Sequence, residues 1–279
     1  MSQAGDLATV SQISCWGDSM TERHPGVESF TDALAKLTGR TVHNFGISDQ
    51  ISTQVAARQG GHPAKFLVEW GRIPSEGGVV IAPLTFSPIM PKVELELTGT
   101  LSDVPRKLLY KGGVHWFERA TPGPEKPLGE ASVFMPSLAL ERRNDVQILW
   151  WGRRNYLETE RILADFRLSC TFLGQHGRAL IIGVVNSPGK TPGSMEHAAI
   201  VNLNDRLRDE YKDRFFDVRS YMIRSGLKDA GMSPSSGDIA DIENDVPPRS
   251  LRFDVIHYND IGNQLIARKL NEMINEQGW

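Results

Sequence analysis

Apolar positions recur at two different spacings along the chain, and the change of spacing divides it. Residues 9–16, which end on Ile13-Ser14-Cys15-Trp16, read as a first, buried strand. Phe30, Ala33, Leu34 and Leu37 then follow the three-and-four spacing of a helix over 27–37, which Gly39 stops. A short apolar run at 41–45 predicts a second strand. A second helix is expected over 51–58, broken by Gln59-Gly60-Gly61-His62-Pro63. The rhythm returns with an unbroken apolar run at 146–151, a helix over 157–173 and a strand over 179–185. A helix over 195–211 carries Ile200, Leu203 and Leu207 on one face, and a short strand is expected at 215–218. The last helix, 259–275, turns Ile261, Leu265, Ile266, Leu270 and Ile274 inward. Residues 225–250, rich in Gly, Ser, Pro and acids, read as a long loop leading into the last helix and lining a pocket. Strands alternating with helices predict an α/β chain with a parallel sheet covered on both faces.

Between about 68 and 136 the helical spacing disappears. Short β-like runs at 79–82, 92–97, 107–110, 114–119 and 131–135 are separated by Gly77-Gly78, Gly112-Gly113 and Thr121-Pro122-Gly123-Pro124. Val93, Leu95 and Leu97 alternate with polar positions, the pattern of half-exposed antiparallel strands. The division expected is therefore an α/β domain from 1–67 and 137–279, with 68–136 a small β-rich insertion.

Charge and composition mainly exclude. The chain has 279 residues, 40% of them hydrophobic and 23% charged, with a formal net charge of −3 and no long basic block, which argues against a nucleic-acid partner. There is no apolar stretch of about 18 residues, so no membrane span is expected. Residues 1–10 show no basic segment followed by an apolar run. The expectation is a soluble, cytoplasmic chain, or an extracellular one if a signal has been removed. Cys15 and Cys170 fall in apolar contexts and read as two buried thiols rather than a disulfide framework. The seven histidines show no ligand spacing, and neither Cys-x-x-Cys nor His-Glu-x-x-His occurs, so no metal or cofactor is expected. Gly-x-Gly-x-x-Gly and the phosphate-loop pattern are absent too, which weighs against a nucleotide site.

The candidate chemistry sits at the ends of the predicted parallel strands, where open α/β sheets place their ligands. Gly17-Asp18-Ser19 follows the first strand, Asn44-Phe45-Gly46-Ile47-Ser48 the second, and Trp151-Gly152-Arg153-Arg154-Asn155 the run at 146–150. Asp254-Val255-Ile256-His257 precedes the last helix. Serine, histidine and aspartate are the parts of an activated oxygen nucleophile. An acid three residues before the histidine can reach back to Nδ1. A strand-end N–H or amide can hold an oxyanion. Taken singly, Gly46 also reads as a turn, Asn155 as a helix cap, and Asp254 and His257 as capping or surface residues.

In this order the four blocks resemble the GDSL/SGNH hydrolase family, over residues 10–65 and 140–279. Met20 and Tyr156 depart from the usual leucine and aspartate but remove no catalytic group. The resemblance implies a three-layer α/β/α fold with a flavodoxin-like parallel sheet. It also implies a serine ester hydrolase with Ser19 as nucleophile, His257 as base and Asp254 orienting it. The Ser19 and Gly46 N–H groups and the Asn155 amide would form the oxyanion hole. Family members act on acetylated sugars, lipid esters, thioesters and aryl esters, and some transfer acyl groups. Aromatics such as Trp70, Trp116 and Phe117 in the β region read either as core of the insertion or as stacking surfaces for a sugar ring, and the second reading favours a carbohydrate acetylesterase acting on a small-molecule or glycan ester. Arg58, Arg153, Arg154 and Trp116 are candidate substrate contacts. An O-acyltransferase, a lipase- or thioesterase-like esterase and a non-catalytic glycan-binding protein on the same scaffold are the competing readings.

Overall fold

The computed structural model of the chain describes residues 12–89 and 95–279. The N-terminal stretch 1–10, the start of the expected first strand at 9–11, Val93, and residues 92–94 of the expected run at 92–97 lie outside the described residues. The chain passes through β1 (Ile13–Gly17), α1 (Phe30–Thr38), β2 (Val42–Gly46) and α2 (Ser52–Gln59). It continues through β3 (Ala64–Val68), β4 (Arg72–Ile73), β5 (Gly78–Pro83), β6 (Glu96–Leu101), β7 (Val104–Lys111), β8 (Val114–Arg119), β9 (Lys126–Pro127) and β10 (Ser132–Pro136). Then come α3 (Ser137–Glu141), β11 (Val146–Trp150), α4 (Thr159–Leu173), β12 (Ala179–Ile182), α5 (Met195–Tyr211) and β13 (Phe215–Phe216). The chain ends through α6 (Val218–Tyr221), α7 (Leu227–Asp229), α8 (Ser236–Glu243) and α9 (Asp260–Glu276).

The wholly buried strands β1 and β11 lie at the middle of a parallel sheet ordered β13-β12-β11-β1-β2. Their two faces enter different cores. Ile13, Cys15, Ile148 and Trp150 pack with Phe30 and Leu34 of α1 and Leu265, Ile266 and Leu270 of α9. Trp16 and Leu149 pack with Val55 of α2, Phe166 of α4 and Leu203 of α5. This is the α/β/α layering of the GDSL-hydrolase fold. Register then does the functional work: Gly17 pairs with Gly46 on one side and Trp150 on the other. The ends of β1, β2 and β11 are therefore level, and the residues that follow them leave the same edge.

Local signals fix the helices. Ser29 accepts the Asp32 N–H at the start of α1, and Asn259 accepts the Gly262 N–H at the start of α9. In α9 Leu265, Ile266, Leu270 and Ile274 are buried as their spacing predicts, whereas Ile261 is exposed in the first turn. The expected strand at 215–218 is shorter, because Asp217 caps α6 from Val218.

Residues 225–250 are not a structureless loop. A π-helical turn (Met222–Gly226) continues into α7. α8 opens with Ser235 and Asp238 satisfying each other's N–H groups, and a 3₁₀ turn follows at Arg249–Leu251. Leu227 enters the core and Ile242 packs against it, but the residues that α8 buries are Asp238 and Asp241, so no apolar periodicity marks that helix.

Between α2 and α3, strands ordered β10-β3-β5-β8-β7-β6 close into an antiparallel barrel around Phe66, Ile81, Leu101, Leu108, Phe117 and Phe134. Its first strand starts at Ala64, ahead of the range 68–136 that the sequence pattern marks. Closure removes the exposed edges that short antiparallel strands otherwise present.

Candidate active site

Ser19 stands two residues beyond β1, on a tight turn. The Asp18 carbonyl accepts the N–H groups of Thr21 (3.0 Å) and Glu22 (3.1 Å), and Asp18 Oδ1 accepts the Met20 N–H (3.0 Å). A Cβ on Gly17 would lie 2.0 Å from Thr21 Oγ1 and 2.4 Å from the Trp150 carbonyl oxygen, so only glycine allows the turn to fold back on the strand end. Asp18 is buried, and burial pushes its carboxyl up to about 6 in spite of the Met20 N–H and the nearby charge of Arg153.

His257 Nε2 lies 2.9 Å from Ser19 Oγ, and its Nδ1 lies 2.7 Å from Asp254 Oδ2. The other Asp254 oxygen accepts the N–H groups of Ile256 and His257, both at 2.8 Å. Burial acts to raise the Asp254 carboxyl. The hydrogen bonds from the His257 ring and these two N–H groups outweigh it and hold the carboxyl below its usual range. An ionised carboxylate can only accept, so the proton is assigned to Nδ1 and the Nε2 lone pair faces the serine hydroxyl. The imidazole is flanked by Phe253, stacked at 5.6 Å and 17°, and by His24 at 4.6 Å. His24 Nε2 is 2.9 Å from the Ser19 carbonyl oxygen and must donate to it. It thereby ties the nucleophile's own backbone to the wall beside His257.

The Asp254–His257 loop is fastened from below by Arg252, whose side chain is buried. Its Nη2 donates to Asp241 Oδ2 on α8 (2.9 Å) and its Nη1 to the Val255 carbonyl (2.7 Å). Asp241 also accepts from the Arg249 guanidinium and backbone. Phe253 and His257 share a backbone hydrogen bond, and Arg252 bridges to Tyr258. Sequence reading missed both Arg252 and His24. The only signal for either is nearness to a motif residue.

The remaining candidates are distributed unevenly. A Cβ on Gly46 would fall 2.1 Å from the Glu22 nitrogen, so β2 ends directly against the turn that carries Ser19. The Gly46 N–H, however, is donated to Asn44 Oδ1 (3.0 Å) rather than left free for an oxyanion. Asn155 is buried, and its amide donates to Ser52 Oγ (3.1 Å) and Glu158 Oε2 (3.3 Å) while its Oδ1 accepts the Ser52 N–H (3.1 Å).

Arg58 lies beneath the strand ends rather than on the open surface. It is 4% exposed, and its guanidinium donates to Gln50 Oε1 (2.7 Å) and to the carbonyls of Phe45 (3.0 Å) and Gly17 (3.2 Å). It braces the ends of β1 and β2, and burial lowers its pKa to about 9. Arg153 is half-buried over the Tyr156 ring, and Arg154 is exposed, 3.8 Å from Asp49. Trp116 lies on β8 of the barrel, on the face opposite Phe117 of the barrel core. Trp70 is 74% exposed at a φ of +56°. Cys15 is buried, Cys170 half-buried, and both are free thiols. Among the described residues no helix is long and apolar enough to cross a membrane.

No protein-family model matches the chain. Among curated proteins it is similar to the tail spike protein of Salmonella phage epsilon15, with 24% identity over 145 residues. That stretch is 49% of this chain but spans only 13% of the tail spike's length. Among solved structures it is similar to a protein described as a lipolytic protein of the G-D-S-L family from Desulfitobacterium hafniense DCB-2. The TM-score is 0.50 at 11% identity, covering 94% of this chain and 99% of that one. A member of the lipolytic G-D-S-L family from Veillonella parvula DSM 2008 gives a TM-score of 0.49 at 12% identity, over 95% of this chain and 98% of that one. At such identities the likeness to the Desulfitobacterium protein is one of fold.

Proposed function

On this GDSL-hydrolase fold, we propose that the chain is a serine ester hydrolase that removes short acyl groups, acetyl first among them, from a carbohydrate. The observation that carries the reading is the hydrogen-bonded line from Ser19 Oγ through the His257 ring to Asp254, with the carboxylate held ionised. Ser19 Oγ attacks the ester carbonyl as His257 Nε2 takes its proton. The C–O bond to the alcohol breaks, and the proton on Nε2 passes to the leaving oxygen. Water then attacks the acyl-serine and gives a proton to Nε2. The bond from the acyl carbon to Oγ breaks, the proton returns to Ser19, and the acid leaves.

The Ser19 N–H and the Asn155 amide are the donors assigned to the oxyanion. Gly46 would join them only when Asn44 Oδ1 gives up its N–H. Met20, Val27, Phe30 and Tyr258 line the space beside Ser19 and His257. A carbohydrate alcohol is favoured by Trp70, whose broad apolar face stands in water at a strained backbone position, a combination that suits stacking on a sugar ring.

Hydrolysis of p-nitrophenyl acetate beside p-nitrophenyl octanoate tests the acyl group, and acetate release from an O-acetylated polysaccharide tests the alcohol. The acetate ester is expected to turn over at least about tenfold faster than the octanoate, a difference of about 1.4 kcal/mol in the barrier. Faster octanoate turnover would overturn the short-acyl reading, and no turnover of either ester would overturn the hydrolase.

A further inference from the structure

Asp165, in the middle of α4, is fully buried and has no part in the reaction as proposed. Its Oδ2 accepts the hydroxyls of Ser52 (2.6 Å) and Thr53 (2.8 Å), both in the first turn of α2, and its Oδ1 lies 2.8 Å from His62 Nδ1. Ser52 in turn is the residue that contacts Asn155 twice. We infer that Ser52 and Asp165 are positioning residues that fix the direction in which the Asn155 amide donates. The inference rests on the oxyanion role proposed for Asn155.

The argument turns on proton count. A serine hydroxyl has one proton, and a carboxylate can only accept. The Ser52 proton is therefore committed to Asp165, by a short bond of the charge-assisted kind. Toward Asn155 the same oxygen can then offer only a lone pair, so the group facing it at 3.1 Å must be Nδ2 and not Oδ1. The Ser52 backbone N–H repeats the instruction from the other side by donating to Oδ1. Together the two bonds remove the amide's freedom to flip.

One Nδ2 proton is thereby spent on Ser52. The other points toward Glu158 Oε2 at the longer distance of 3.3 Å. Glu158 is exposed and already paired with Arg161 at 3.2 Å, so it can yield its place to an oxyanion. Were the Ser52 hydroxyl free to rotate, it could donate to Oδ1 of a flipped amide. The developing oxyanion would then meet a carbonyl oxygen instead of a donor. Asp165 prevents this by holding the Ser52 proton.

Steady-state kinetics on p-nitrophenyl acetate test the inference, with Ser52→Ala, Asn155→Ala and the double variant measured together. Ser52→Ala is expected to lower kcat by about tenfold or more with KM within about twofold, the pattern of an interaction made only in the transition state. In the Asn155→Ala background the same change should cost nothing further in kcat. Thr53→Ala removes a different donor from Asp165 and serves as the control: a lowered Tm, with kcat within about twofold of wild type. Should Ser52→Ala fail to fold, Ser52→Cys, which keeps the volume but offers only a weak acceptor, is expected to show the same split between kcat and KM. The inference is overturned if Ser52→Ala costs as much kcat with Asn155 absent as with it present, or if Thr53→Ala lowers kcat equally. If Asn155→Ala itself leaves kcat unchanged, the oxyanion role fails and takes the inference with it. If Asn155→Ala is slow but Ser52→Ala is not, only the inference fails.

Discussion

Ser19 and His257 meet at 2.9 Å, but they are held there by different means. Ser19 follows a strand whose every residue is buried and whose register is set by two parallel neighbours. Its turn is closed by backbone groups, with glycine required where the turn folds back. His257 stands on a segment without regular structure. That segment is held by a few charged side chains: Asp254 inside the loop, Arg252 beneath it, and Asp241 beneath Arg252. A backbone-built arm tolerates most side-chain changes that leave its core intact. A side-chain-built arm depends on its members, because removing Arg252 or Asp241 takes a partner from a buried charge and removing Asp254 frees the imidazole.

The largest effect that sharpens this contrast is expected from Asp254→Asn. The amide preserves the shape of the loop but no longer selects the Nδ1 proton, and kcat should fall by about 10⁴. Wild-type turnover would break the assignment of the histidine arm. Asn155→Ala follows, with kcat lowered by about 10²–10³ and an unaltered circular-dichroism spectrum. An unchanged kcat would remove Asn155 from the site.

Arg252→Ala should act on stability first. It strips Asp241 and the Val255 carbonyl of a buried donor, at a cost of about 3 kcal/mol in denaturant unfolding. Arg249 remains on Asp241, which keeps the loss at the low end. A loss confined to kcat, with the unfolding midpoint unmoved, would show that the strut does not carry the loop.

The smallest effect concerns pH, and here the arms differ in sign. The folded chain holds the Asp18 proton up to about 6, whereas its ordinary value is 3.8. The folded state thus binds more protons across that window, and stability falls as pH rises from 3.8 to about 6. Asp254 behaves oppositely. Its carboxyl is held below the ordinary value, so its contribution is present above that value and is lost as pH falls through the folded pKa. Solvent exposure keeps that contribution small. Melting curves of wild type and Asp18→Asn should diverge as pH rises through the window, the wild type losing ground. Parallel curves would contradict the burial argument.

Much of the parallel sheet was legible because fully buried strands are predominantly apolar over short runs, as at 148–150. The Asp-x-x-His spacing was legible because both groups lie on one short loop, where sequence distance approximates distance in space. The bracing contacts of Arg58 were not legible because its acceptors are mainly backbone carbonyls of residues 17 and 45, which no side-chain pattern announces. The helix α8 was missed because Asp238 and Asp241 organise it through hydroxyls and guanidinium groups instead of an apolar face, and α7 because it is a single turn. One local sign was present, the Ser235–Asp238 spacing of a capped helix start. The barrel's closure could not be read at all, since alternation along a strand is the same in an open sheet and a closed one. The engagement of the Gly46 N–H by Asn44, two residues away, was within reach of sequence reasoning, because asparagine commonly bonds backbone N–H groups nearby.

The central claim is that Ser19 is a nucleophile activated by His257. Intact-mass and peptide-mass measurement after treatment with a fluorophosphonate tests it most directly. The account predicts one covalent adduct, on Ser19, absent from Ser19→Ala and formed far more slowly by His257→Ala. An adduct on another residue, no adduct at all, or an equal rate of labelling without the histidine would contradict it.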